Sequence, residues 1–270
     1  MSGFFILTLF CLFVLGAVIG SFLNVLIYRT IQGESWLTGR SRCDHCQKKI
    51  SWYDNIPVLS FLLLGGKSRC CKKQIPISYP FVELITGSLF VWWYGIGFVF
   101  FRLTTTPFQV LQPFFWLLVG VLLLTIFFAD LMHMIIPDLV VGALFLLTLA
   151  YRLYLTAVSI MQVQDLYFAA LGMVASVLFL GGLWILTKGK GMGFGDVKLI
   201  APIALLLGWP KILVGLFMAF VIGGIIGAAL LIFGKKRVGQ VIPFGPFIII
   251  GAVLSLIWGD AIFSWYMYLL

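Results

Sequence analysis

The sequence predicts an all-α integral membrane protein: a polytopic helix bundle of about eight transmembrane helices with one cysteine-bearing cytoplasmic loop. Three observations lead there. Hydrophobic residues make up 62% of the chain and charged residues 10%, more apolar surface than a soluble domain can bury. Apolar runs near or above the roughly 20 residues that cross a bilayer recur along the whole length. The basic residues gather in a few of the segments between those runs.

Spans are expected near 4–28, 81–101, 113–130, 138–157, 166–187, 197–209, 211–233 and 244–268, the sixth being short. The first lacks a basic leading segment, exceeds a signal-peptide core and has no small-residue cleavage site before Arg29, so it reads as a retained helix. Placing 29–80 in the cytoplasm puts nine Lys or Arg there. The loops around 188–198 and 235–237 add three each, against Arg102, Arg152 and Lys211 opposite. This asymmetry sets both termini outside. The net charge of +9 is therefore mainly a topology signal. No extended basic stripe with interleaved aromatics is present, so membrane lipid rather than nucleic acid is the expected partner. The chain divides into a first helix (1–28), a hydrophilic cysteine loop (29–80) and a membrane core (81–270).

Near the end of the first span, Ser21 and Asn24 are three apart and share a helical face, which suits interhelical hydrogen bonding. Cys11, in the same span, is expected to be a small buried hydrophobe. The loop then carries Cys43-Asp44-His45-Cys46 and, after 23 intervening residues, Cys70-Cys71. A CxxC knuckle turns two thiolates toward one tetrahedral ion, and a second knuckle completes the set. Here the second pair is adjacent, with Ser68 where the partner of Cys71 is expected. Candidate ligands are Cys43, Cys46 and Cys71, with Cys70 or His45 as the fourth. A zinc staple, an empty site and a redox-labile thiol cluster are all open. The stretch 59–64 is too short to span and is placed on the membrane surface or beneath the bundle. Glu83 opens the second span, where a carboxylate suits a helix N-terminus.

The third span ends at Asp130, and Leu131-Met132-His133-Met134-Ile135-Ile136-Pro137-Asp138 follows. Asp138, directly after Pro137, is expected to cap the fourth span. His133 is one turn beyond Asp130 and is expected only to hydrogen-bond. Further on, Gly191-Met192-Gly193-Phe194-Gly195-Asp196-Val197-Lys198 places a second carboxylate at the start of an apolar run. Gly193 and Gly195 clear side chains from its approach, and Lys198 either holds Asp196 charged, contacts an acidic substrate or anchors the span. A plain N-terminal cap is the bland role for Asp196. By parity of spans Asp130 and Asp196, 66 residues apart, emerge on the same side. Asp165 and Asp260 are expected to be solvated, and 241–247 forms a rigid turn into the last span.

Two carboxylates brought close cannot both ionise cheaply, so they share a proton. The ionised one can then take a proton from water while its partner polarises a carbonyl. No serine elbow, HExxH or P-loop offers another mechanism, and the glycines at 189–195 do not match a dinucleotide fingerprint. The non-enzyme alternative is a proton-coupled transporter using the same aspartates.

Gly20-Ser21-Phe22-Leu23-Asn24-Val25, Trp52-Tyr53-Asp54-Asn55-Ile56-Pro57, Tyr79-Pro80-Phe81-Val82-Glu83, Asp130 through Asp138, Gly193-Phe194-Gly195-Asp196-Val197-Lys198 and Pro243-Phe244-Gly245-Pro246 occur in this order. Together they resemble the bacterial type IV prepilin peptidases, GxGD-type membrane aspartic proteases. The resemblance implies Asp130 and Asp196 as the catalytic pair and prepilins or pseudopilins as substrates, cleaved at the cytoplasmic face of the inner membrane. It also implies N-methylation of the new N-terminus with S-adenosylmethionine. Two positions depart from the family pattern. The second cysteine pair is CC rather than CxxC, and Met132 stands where an acidic residue is common.

Overall fold

The computed structural model describes residues 2–36, 39–97, 108–233 and 242–269. The end of the second expected span, Arg102 and the basic run 235–237 lie outside the described residues. The described chain is built of helices, without a strand. They are α1 (Ser2–Gln32), α2 (Leu59–Leu63), α3 (Ser78–Trp92), α4 (Phe108–His133), α5 (Asp138–Ala157), α6 (Val163–Leu186), α7 (Phe194–Leu207), α8 (Lys211–Ile232) and α9 (Gly245–Leu269). Each of the eight expected spans coincides with a helix where described, apart from one or two residues at some ends. Six are long and apolar enough to cross a membrane by length and composition. The other two are shorter: α3 has 15 residues before a π-helical turn at Trp93–Gly97, and α7 has 14.

The chain forms two compact units, Met1–Thr125 and Ile126–Leu270. In the first, α1 packs along α3. Small residues permit the approach: a Cβ on Gly20 would lie 2.8 Å from the Glu83 backbone, and one on Gly16 would lie 2.8 Å from the Thr86 carbonyl. Without a hydrophobic force between helices in lipid, such closeness and a few hydrogen bonds hold the pair. Asn24 supplies one, its Nδ2 donating to the Tyr79 carbonyl at 3.1 Å. Cys11 corrects the expectation of burial, because it lies on the exposed face of α1. Glu83 is also more than a terminal cap. It is 8% exposed and accepts the Val58 amide at 2.8 Å. That bond secures the loop at a β-branched residue held at φ 62, a conformation with a real energetic cost.

In the second unit α7 is the central helix, packed by α5, α6 and α9. Ten of its 14 residues are buried, the pattern of a helix enclosed on every side. Its last carbonyls are met by Arg152 of α5, whose Nε donates to Leu205 O at 2.7 Å and Nη2 to Leu206 O at 3.3 Å. A guanidinium suits the negative end of a helix dipole. Asp165 accepts the Gln162 amide at the start of α6, and Asp260 pairs with Lys211 at 2.7 Å, so neither is merely solvated.

Candidate active site

Asp130 does not end its helix as expected. α4 runs on to His133, so the carboxylate sits one turn inside the helix and is 5% exposed. Met134 then takes a left-handed φ of 55 and donates its amide to the Asp130 carbonyl at 2.8 Å. Pro137 prevents any continuation before α5. His133 is exposed on the surface.

Asp196 is the third residue of α7 and 4% exposed. Its Oδ2 accepts the Gly193 amide at 3.1 Å. The capping role read from the sequence is therefore real, but it occupies only one oxygen. Oδ1 is buried with no hydrogen-bond partner among the described residues. A buried polar atom left unpaired costs about 1–3 kcal/mol. Such an atom is common where a reaction, rather than stability, dictates the geometry.

The two carboxylates share one neighbourhood. Asp130 lies close enough to act electrostatically on Asp196, and Ile136 links their supports. A Cβ on Gly195 would stand 3.0 Å from Ile136 Cβ, and one on Gly245 would stand 3.2 Å from Ile136 Cδ1. A side chain at Gly195 would therefore press on Ile136. Gly193 contributes its backbone amide.

Gly245 is the site residue that sequence reading missed. The first residue of α9, it donates its amide to Asp130 Oδ2 at 2.9 Å in a buried setting. A Cβ there would come within 2.6 Å of that oxygen. The signal was present in Pro243-Phe244-Gly245-Pro246, a turn and one of the motifs of the resemblance, but the sequence assigns Gly245 no role until the tertiary contact is known.

Lys198 does not meet Asp196. Its Nζ pairs with Asp138 Oδ1 at 2.7 Å and lies 5.3 Å from the Phe194 ring centroid. Asp138, expected as a cap, is spent on this pair. Exposed pairs of this kind contribute about 0–1 kcal/mol. Lys198→Ala should therefore shift the unfolding midpoint by no more than a few degrees, as differential scanning fluorimetry in detergent would show; a loss of folded protein would contradict the assignment.

The cysteine loop is a doubled knuckle. An isolated bridge joins Arg42 to Lys49, and another joins Lys67 to Gln74. Within them Cys43 N donates to Lys48 O at 2.9 Å and Ser68 N to Lys73 O at 2.8 Å, while Gln47 and Lys72 both take φ 57. Ser68 thus stands where Cys43 stands in the first knuckle, and Cys71 where Cys46 stands. Cys70, one residue early, supplies the fourth sulfur. All four Sγ atoms lie within 4.8 Å of one another, with Cys43 to Cys71 at 3.7 Å and Cys46 to Cys70 at 3.0 Å. His45 instead contacts the Gln74 carbonyl. The Ser68 hydroxyl lies 3.4 Å from the Cys43 sulfur and 3.0 Å from that of Cys70. Burial works against ionising Cys43, but the Ser68 hydroxyl and the backbone at Cys46 and His45 outweigh it, lowering the thiol to about 6. The Cys70 side chain raises Cys46 to about 11.

Fold and site together define a polytopic helical membrane protein with two buried, interacting aspartates and a separate tetracysteine loop. The chain belongs to the type IV leader peptidase family: the model of that family matches residues 116–228, and that of the bacterial peptidase A24 N-terminal domain matches 14–96. Relatives named prepilin leader peptidase/N-methyltransferase agree over nearly the full length. The one from Aeromonas hydrophila is 31% identical over 94% of this chain and 92% of its own. That from Bacillus subtilis is 32% identical over 95% and 96%, and that from Pseudomonas aeruginosa 31% over 95% and 92%. No solved structure matches the chain.

Proposed function

We propose that this protein is a membrane aspartic endopeptidase that removes the leader peptide of type IV prepilins or pseudopilins, then methylates the new N-terminal amine with S-adenosylmethionine. The observation that carries the reading is the burial of Asp130 and Asp196 in one neighbourhood, each held by a single backbone amide, in a chain of this family. The transporter reading finds no support in relatives named for peptidase and methyltransferase activities.

Asp130 and Asp196 share one proton and act as a unit. The ionised member takes a proton from water as its oxygen attacks the scissile carbonyl. The protonated member gives its proton to the carbonyl oxygen, and collapse of the tetrahedral intermediate returns a proton to the leaving amine. The Gly193 and Gly245 amides fix the two carboxylates, and the glycine-rich approach leaves room for an extended chain. The basic loops orient the protein in the inner membrane with this site at the cytoplasmic face and both termini outside. Residues 29–80 form the cysteine loop ahead of the core at 81–270.

The four thiols form a structural zinc site. A tetrahedral zinc with Zn–S near 2.3 Å needs sulfurs about 3.8 Å apart, which the Cys43–Cys71 separation of 3.7 Å suits and to which the Cys46–Cys70 pair, at 3.0 Å, must open. Ser68 supports the thiolates by hydrogen bonding. Purified protein should carry one equivalent of zinc by elemental analysis, and Cys46→Ser should lose most of it. Metal-replete wild type without zinc would refute the site.

The methyl donor supplies a sulfonium-bound methyl carbon: the new amine's lone pair takes it, the C–S electron pair returns to sulfur, and the ammonium proton leaves to water. In lipid with a prepilin, mass spectrometry should record leader loss and, with donor present, one added methyl on the mature N-terminus. An uncut prepilin would overturn the peptidase reading, and cleavage without the increment would overturn the methyltransferase half.

A further inference from the structure

Residues 14–96 match a family model of their own, contain neither Asp130 nor Asp196, and line a cavity of about 480 Å³. Its walls come from the end of α1, the cysteine loop and the start of α3, all within the first compact unit. We propose that this cavity binds the methyl donor, an inference that rests on the methyltransferase half of the function proposed above.

Size and wall chemistry carry the assignment. Pockets for ligands of this mass span roughly 300–1,000 Å³, so an adenosyl amino acid fits. The donor carries a sulfonium, an α-ammonium, a carboxylate and an adenine amine. It therefore needs a wall with both signs of charge and several acceptors. A purely acidic wall would instead suit a basic leader peptide. Here Arg29 faces the same cavity as Asp44 and Glu83.

These groups are built in. Glu83 is 8% exposed and held by the Val58 amide. Asp44 is oriented by the Tyr79 hydroxyl, which donates to Oδ2 at 2.8 Å. Asn24, also 8% exposed, gives its Nδ2 to Tyr79 O, while its Oδ1 has no partner among the described residues. An unmet buried acceptor in a cavity wall is relieved by a ligand that brings a donor, such as an adenine amine. The fixed positive charge of a sulfonium is matched by a carboxylate such as Glu83.

The test is direct binding. S-adenosylmethionine and its thioether product, S-adenosylhomocysteine, are titrated calorimetrically into the full-length protein in lipid nanodiscs, using wild type, Asn24→Leu, Glu83→Gln and Asp196→Asn. Thermal melting confirms that each is folded. Asp196→Asn should bind both ligands as wild type does, although it cannot cleave. Asn24→Leu should weaken both by about tenfold. Glu83→Gln should weaken the sulfonium more than the thioether, a charge-specific difference that a merely structural role would not produce. Should one variant fail to fold, the other decides. Folded variants that bind both ligands like wild type overturn the cavity assignment and leave methylation standing. A wild type that methylates prepilin but is photolabelled by an azido-adenosyl analogue only outside 21–83 overturns it too. A wild type that neither binds nor methylates removes the methyltransferase reading itself.

Discussion

Replacing Asp130 or Asp196 by Asn is expected to lower leader cleavage by at least about 10³-fold, with little loss of folded protein. General acid–base catalysis by a positioned carboxylate is worth roughly 10²–10⁴ in rate, and here each residue is needed in both protonation states during the cycle. Asn keeps the shape and still accepts the single backbone amide that each aspartate receives. It cannot give or take the proton. Burial sharpens the contrast: at 5% and 4% exposure an ionised carboxylate is costly to keep, so removing it does not threaten the fold. Initial rates by mass spectrometry, with melting curves alongside, would check this. A single variant within tenfold of wild type would make that aspartate structural.

The second large effect is expected at Gly245. Alanine there would place its Cβ within 2.6 Å of Asp130 Oδ2 and 3.2 Å of Ile136 Cδ1. Either the carboxylate or the start of α9 must move, at a cost of about 1–3 kcal/mol. The amide that fixes Asp130 moves with it. A displacement of about an ångström at a catalytic group can cost 10²-fold, so Gly245→Ala should lower kcat on that order. The KM for prepilin should change far less, because Gly245 bonds Asp130 and contacts no bound leader in the proposed mechanism. Steady-state kinetics separate the two terms. A variant with wild-type kcat would show that the backbone at Gly245 does not position Asp130.

Much of this was legible in the chain because membrane helices announce themselves locally. Each expected span coincides with a helix where described, apart from a residue or two at some ends, and Asp130 and Asp196 stand out as carboxylates beside apolar runs. What stayed hidden depends on contacts between distant residues. Lys198 lies two residues from Asp196 in sequence, yet its ammonium reaches Asp138, 60 residues away. Glu83 looked like a helix-start carboxylate and instead holds Val58 across 25 residues. Gly245 read as a turn because only the fold reveals that its amide meets a carboxylate 115 residues earlier. Arg152 counted as a flanking charge, although it closes the end of α7 from within α5. The cysteines failed differently. The sequence leaves Cys70 and His45 as alternative fourth ligands, and the repeated knuckle around Ser68 explains how Cys70 joins the other three.

If Asp130 and Asp196 act as one proton-sharing unit, their losses on substitution are strongly non-additive, so the decisive comparison is of the cleavage rates of Asp130→Asn, Asp196→Asn and the double variant in one lipid preparation. All three should fall to nearly the same floor, the double variant no more than about tenfold below the slower single one. Losses that multiply, or a single variant that keeps near-wild-type cleavage, would contradict the proton-sharing unit.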